Sequence, residues 1–385
     1  MRSSIGFAAA LGLVGATLVQ AASAQEYRLW LGTYTDANSR GIYTATFDAE
    51  TGAAGAVTLA AETEQPSFLA LAPDGRTLVA VNETVGEAPE RSGRLTSFAI
   101  DVTEGKLTET STVSARGGAP CHLTISADGR HVLVANYVGG NVVSFALDSN
   151  GKLSSSLSVM QHGGSSVNRD RQEGPHAHCV HLDTGGRFAI AADLGTDRLY
   201  VHAFDPATGR LSPREEAALV LPAGAGPRHF AWHPDGKHAF VINELACTIE
   251  ALAWDATHGT FASLQSITTQ PDGIEPGNST AEVVVHPNGR WVYGSNRGDD
   301  SIAVYAWDAD AERLVGRGTV KTVGKTPRNF AVDPTGRWLL AANQSSGFVT
   351  IFRIDPQSGE LTEAGRLDVP NCVCVRFQPL VAAER

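Results

Sequence analysis

Short runs of β-branched and aromatic residues, with polar residues at near-alternate positions, recur along the chain from Leu29 to Phe377. Alternation is the period of a strand with one buried face, and nowhere does the spacing lengthen to that of a long amphipathic helix. The punctuation between runs repeats as well. Asp74-Gly75-Arg76, Asp128-Gly129-Arg130, Gly185-Gly186-Arg187, Asp235-Gly236-Lys237, Asn288-Gly289-Arg290 and Thr335-Gly336-Arg337 are six copies of one tight turn between two apolar runs. A second marker, an Asp followed by Gly and usually by Leu, starts at Asp48, Asp101, Asp148, Asp205, Asp255 and Asp355, with a glycine-less version from Asp308 to Leu314, which makes seven. Each unit therefore holds four short strands.

The mismatch between six and seven is informative. Leu29 to Gly52 lacks the first half of a unit, and Pro370-Asn371-Cys372-Val373-Cys374-Val375-Arg376-Phe377 supplies only that half. Strands from both ends of the chain are expected to pair in one blade, which removes the sheet edges by closing a ring. The prediction is an all-β, seven-bladed β-propeller of four-stranded antiparallel blades, with the 361 residues after Ala24 giving about 52 per unit. An open β-helix or two stacked sandwiches would have no use for a split unit.

In such a ring the innermost strand of each blade starts after a proline, turns at Asp-Gly and returns. Residues after the proline and at the returning end then share one rim, and the Asp-Gly turns lie at the other. The first group reads Ser67, Cys121, His178, Arg228, Ala281, Arg328 and Asn371, followed by His122, His229, Glu282 and Asn329. Returning ends add Asn82-Glu83, Asn136-Tyr137, Asp193, Asn243-Glu244, Asn296-Arg297 and Asn343-Gln344. One rim thus collects the unusual ionisable residues, whereas the Asp and Gly of the other are explained by turn geometry. Any one of these side chains could be a structural ion pair; their convergence from separate blades points to a site. His178 and Glu244 can move protons, and Arg228, Arg297 and Arg328 suit a carboxylated, phosphorylated or polyhydroxylated ligand.

Composition narrows the choices. A net charge of −11 argues against non-specific nucleic-acid binding and against docking on anionic membranes. Arg2, an apolar stretch from Ile5 to about Val19, and Ala22-Ser23-Ala24 read as a secretory leader over residues 1–24, so that residues 25–385 form a single exported domain, periplasmic or secreted. The stretch is short for a membrane anchor. Cys121, Cys179, Cys247, Cys372 and Cys374 are an odd number, and Cys372 and Cys374 point the same way on one strand, so all five are expected as buried small hydrophobes. His176 and His178 share a strand face and invite a metal reading, but no third ligand motif accompanies them; no metal and no cofactor is expected. A G-x-S-x-G motif and a phosphate loop are both missing.

Leu31-Gly32-Thr33-Tyr34-Thr35, Pro175-His176-Ala177-His178 with Ala192-Asp193-Leu194-Gly195, Gly226-Pro227-Arg228-His229 with Val241-Ile242-Asn243-Glu244, and Ser295-Asn296-Arg297 resemble the lactonase family of seven-bladed propellers. That family includes bacterial 6-phosphogluconolactonases and the fungal 3-carboxy-cis,cis-muconate lactonizing enzyme. The resemblance implies a metal-independent site in which a His, two Arg and a Glu carry activity, falling here on His178, Arg228, Arg297 and Glu244. His176, His229, Glu282, Arg328, Asn243 and Asn296 are the expected substrate contacts on the same rim. The implied reaction is hydrolysis of a small anionic or polyhydroxylated lactone. A lactonizing cycloisomerase would use the same groups, and a non-catalytic propeller that binds a glycan or protein is the competing class.

Overall fold

The computed structural model describes residues 26–270, 273 and 276–380; the expected leader lies outside them. Seven antiparallel sheets follow one another along the chain, six built from consecutive strands and one from both chain ends. Their innermost strands are Cys372–Pro379, Leu69–Leu71, Pro120–Ile125, Ala177–Leu182, Pro227–Trp232, Ser279–Val285 and Pro327–Val332. The closing blade pairs Glu26–Thr33 with Cys372–Pro379, from Tyr27 against Pro379 to Thr33 against Cys372. Closure is therefore one C-terminal strand to three N-terminal ones, not two halves. In the fourth blade, Arg210–Ser212 and Leu219–Val220 share the outer edge, on either side of the 3-10 turn Glu215–Ala217.

Second strands such as Thr77–Asn82 and His131–Asn136 are buried along their whole length, because neighbouring blades cover both faces. This is why they read as continuous apolar runs, whereas the outermost Lys106–Ser114 is exposed or half-buried everywhere except Leu107. The six turn glycines, Gly75, Gly129, Gly186, Gly236, Gly289 and Gly336, all have φ between +62° and +74°, a region that a Cβ disfavours. One turn, repeated six times, sets the lower rim.

At the upper rim the chain does something different. Register slips just inside the inner strand, between Pro120 and His122, Ala177 and Cys179, Pro227 and His229, Thr280 and Val283, and Pro327 and Asn329. A bulge leaves one residue unpaired and re-aims its side chain. Those residues include Cys121, His178, Arg228, Ala281 and Arg328. In the closing blade the slip falls between Gly32 and Thr33, opposite Cys374 and Cys372, so Val373 occupies this position. Asn371, assigned there from the proline, lies outside the strand and gives its carbonyl to the Tyr34 N–H. All five cysteines are buried and unpaired.

Candidate active site

Glu244 stands at the centre of the upper mouth, at the end of His238–Asn243. Its Oε2 accepts from Arg228 Nε at 2.9 Å and lies 2.9 Å from an Arg297 nitrogen, and its Oε1 takes Arg171 at 2.6 Å. Burial pushes the Glu244 carboxyl up, but Arg297, Arg228 and Arg171 outweigh it and hold the group at about 2. It is an anion across the physiological range. Arg228, 1% exposed, comes from the bulge and donates to the Ala281 carbonyl at 2.7 Å; Arg297, from the next blade, donates to the Thr280 carbonyl at 2.8 Å.

Arg328 faces this cluster across the mouth. It lies over the Tyr34 ring and 3.9 Å from Glu83, whose other oxygen accepts the Tyr34 hydroxyl at 2.8 Å. Four guanidiniums against the carboxylates of Glu83 and Glu244 leave the mouth cationic in a protein of net charge −11. His178 lies between Cys121, Tyr137 and His229. Its Nδ1 is 3.7 Å from Cys121 Sγ, and its ring meets Tyr137 edge-on. Burial, then Arg228 and His229, push its pKa well below the ordinary imidazole value, so the ring is neutral at neutral pH.

Arg171 and Tyr137 complete the constellation, the guanidinium donating to the phenol oxygen at 3.2 Å. Arg171 escaped the sequence reading because it sits in the loop of residues 162–176, outside the repeat register. Asp197 anchors that loop. It accepts from Ser166 and Gln172 in the Arg171 loop, at 2.5 and 2.7 Å, and from the N–H groups of Gly224 and Gly226, just before Arg228, both at 2.7 Å. One buried carboxylate thus fixes the approach of two arginines to Glu244.

Other expected contacts are placed elsewhere. Asn243 and Asn296 are fully buried and spend their amides away from the mouth, Asn243 on Thr248 of its own blade and Asn296 on Ser301 of its own blade and the Thr269 carbonyl of the preceding one. They hold strands together, because a strand-end Asn reaches its neighbour more readily than the mouth. His229 and Glu282 lie one residue deeper, bonded to each other at 2.8 Å, with Asn329 on the second Glu282 oxygen at 2.5 Å. His176 stacks on Tyr137 and bonds its carbonyl and Glu173, so it flanks the site instead of pairing with His178 on a metal. Phe68 borders both parts of the axial channel: a void of about 10 Å³ at the Arg228 side, and a chamber of about 560 Å³ toward the turns, lined by His122, His181, Glu282 and Arg376 among apolar walls.

A family model described as Lactonase, 7-bladed beta-propeller, matches residues 28–377. The chain is 34% identical to the 6-phosphogluconolactonase of Bacillus subtilis, over 91% of this chain and 98% of that one. It is 30% identical to the 6-phosphogluconolactonase of Formosa agariphila, over 79% and 85%. The solved periplasmic gluconolactonase of Pseudomonas aeruginosa superposes with a TM-score of 0.86 at 33% identity, over 91% of this chain and 99% of that one. A ring closed by its two chain ends, an arginine-held glutamate at its mouth and these similarities over nearly all the described chain make it a member of the seven-bladed propeller lactonase family.

Proposed function

We propose that the protein hydrolyses a sugar-type lactone at the Arg-rich mouth, with His178 as the base. The observation that carries this reading is a neutral histidine close enough to Arg228 and Arg328 to feel their charge, beside a cluster in which Arg171, Arg228 and Arg297 share one ionised glutamate. His178 takes a proton from water as the oxygen attacks the lactone carbonyl. The arginines stabilise the tetrahedral oxyanion, the ring C–O bond breaks, and the imidazolium returns the proton to the departing alkoxide. Water is added across the ester, and the product acid releases its remaining proton to solvent, leaving a carboxylate opposite the guanidiniums. Glu244, with both carboxylate oxygens taken up by Arg171, Arg228 and Arg297, acts as the counter-charge that gathers the arginines.

The cationic mouth favours a substrate bearing anionic or closely spaced hydroxyl oxygens. The leader-like residues 1–24 and the likeness to a periplasmic gluconolactonase support export, where an unphosphorylated aldonolactone is the accessible substrate. The test is turnover of gluconolactone, its 6-phosphate and carboxymuconate by the purified protein. Ring opening of gluconolactone above the spontaneous rate is expected. Turnover of carboxymuconate alone would reassign the site to a cycloisomerase, and no turnover of any would remove the hydrolytic reading.

A further inference from the structure

At the opposite rim, the turn joining Pro227–Trp232 to His238–Asn243 differs chemically from its repeats. Asp235 Oδ1 caps the turn, accepting the N–H groups of Lys237 at 2.8 Å and His238 at 3.1 Å. Its Oδ2 lies 2.7 Å from His238 Nδ1 and 3.0 Å from His233 Nδ1. All three atoms fall within 4.8 Å of one another, the sole such grouping of His, Cys, Asp and Glu donors among the described residues. The geometry points to a site for a divalent first-row transition metal such as zinc, bound by His233 Nδ1, His238 Nδ1 and Asp235 Oδ2.

An independent observation comes from the neighbouring blade, which holds the far nitrogen of each ring. His233 Nε2 donates to the Gly289 carbonyl at 2.9 Å, which places the proton on Nε2 and the lone pair on Nδ1. His238 Nε2 lies 3.1 Å from Glu312 Oε1, the carboxylate–histidine arrangement that orients metal-bound imidazoles. Glu312 is itself unusual. In five other outer hairpins its position is a glycine, Gly52, Gly105, Gly209, Gly259 or Gly359, with φ between +63° and +77°, whereas Glu312 adopts φ +48° with a side chain. Those glycines make room for the neighbouring blade: a Cβ on Gly52 would meet Trp338 at 2.4 Å, and one on Gly359 would meet Trp291 at 2.5 Å. Only here does a carboxylate replace the glycine, and it is directed at an imidazole.

The related turn at His286 supplies a comparison. His286 Nε2 likewise donates to a glycine carbonyl, Gly336, and its Nδ1 accepts the Asn288 N–H at 3.1 Å. It has Asn288 and Trp291 where the first turn has Asp235 and His238, so it lacks the other two donors. On His233 the corresponding N–H bond, from Asp235, is 3.2 Å long and is given up to the ion. Two imidazoles and one carboxylate, with a position left for water, favour zinc-like ions over calcium or magnesium. Because Gly289 and Glu312 belong to the next blade, a bound ion would stiffen the contact between the fifth and sixth blades.

Calorimetric titration of Zn²⁺ into the EDTA-treated protein tests this. One equivalent is expected to bind and to raise the thermal midpoint, with Asp235→Asn and His238→Gln each weakening binding at least 100-fold. Glu312→Gly restores the residue of the other blades, so it should fold at least as well and bind about tenfold more weakly. Lactone turnover should be unchanged in all three variants. Absence of stoichiometric Zn²⁺ binding, or equal affinity in wild type, Asp235→Asn and His238→Gln, would overturn the site. In that outcome His233, Asp235 and His238 form a metal-free hydrogen-bonded turn.

Discussion

The two ends of the inner hairpins make an instructive pair. At the lower end six turns share nearly one sequence, because a backbone with φ near +70° admits little else than glycine. At the upper end the equivalent residues are Ser67, Cys121, His178, Arg228, Ala281, Arg328 and Val373, no two neighbouring blades alike. A bulged residue is free of the sheet's pairing, so its side chain is free to differ, and the blades supply different groups to one mouth. Repetition marks where the backbone is constrained. Divergence marks where chemistry is placed.

The largest effect separating the two ends should come from the glutamate and its arginines. Glu244→Gln or Arg228→Ala is expected to lower kcat/KM about 10³-fold, and to cost about 3–5 kcal/mol of stability by leaving buried charge unpaired. Turnover kinetics with chemical denaturation check both; near-normal turnover in both variants would displace the site from this mouth. His178→Gln should reduce kcat about 10²-fold with a smaller stability change. Since burial depresses the His178 pKa, the acid limb of the wild-type pH–rate profile should lie well below the ordinary imidazole value of about 6.5, and its appearance near that value would point to a different base.

Asp197→Asn sharpens the comparison, since it touches no mouth group yet ties down the loops carrying Arg171 and leading to Arg228. A fall of about 10–100-fold in kcat/KM is expected, with the pH profile unmoved. Acidification should also act on stability. His122, His178 and His229 are held neutral chiefly by burial, so the unfolded chain binds more protons below its histidine pKa of about 6.5. Their contribution is fully present above that value and shrinks as pH falls toward the depressed folded values. Melting scans between pH 7.5 and about 5 should show the midpoint falling steadily. The smallest effect is reserved for the lower rim. Gly186→Ala, at φ +62° with nothing within 4 Å of the new Cβ, should cost about 1 kcal/mol and leave turnover unaltered.

Blade number, ring closure and the two-rim division were legible in the order of residues, because turns and strand periods are local properties that repeat. His178, Arg228, Glu244 and Arg297 could be assigned to one rim for the same reason, helped by family likeness. Arg171 could not: it lies in an irregular loop and reaches Glu244 across 73 positions of sequence. Nor did register alone separate Asn243 and Asn296, whose amides bond strand and loop neighbours, from Glu244 and Arg297 beside them.

The amino-acid sequence by itself determined how many blades there are, how the ends join and which rim holds the ionisable groups. Tertiary structure alone decided which of those groups meet, that Glu244 is held as an anion by three arginines and His178 as a neutral ring, and that Val373 stands where Asn371 was expected. The physical reason is that strand period and turn conformation act over a few residues, whereas ion pairing, desolvation and bulge direction depend on what neighbouring blades bring within a few ångströms.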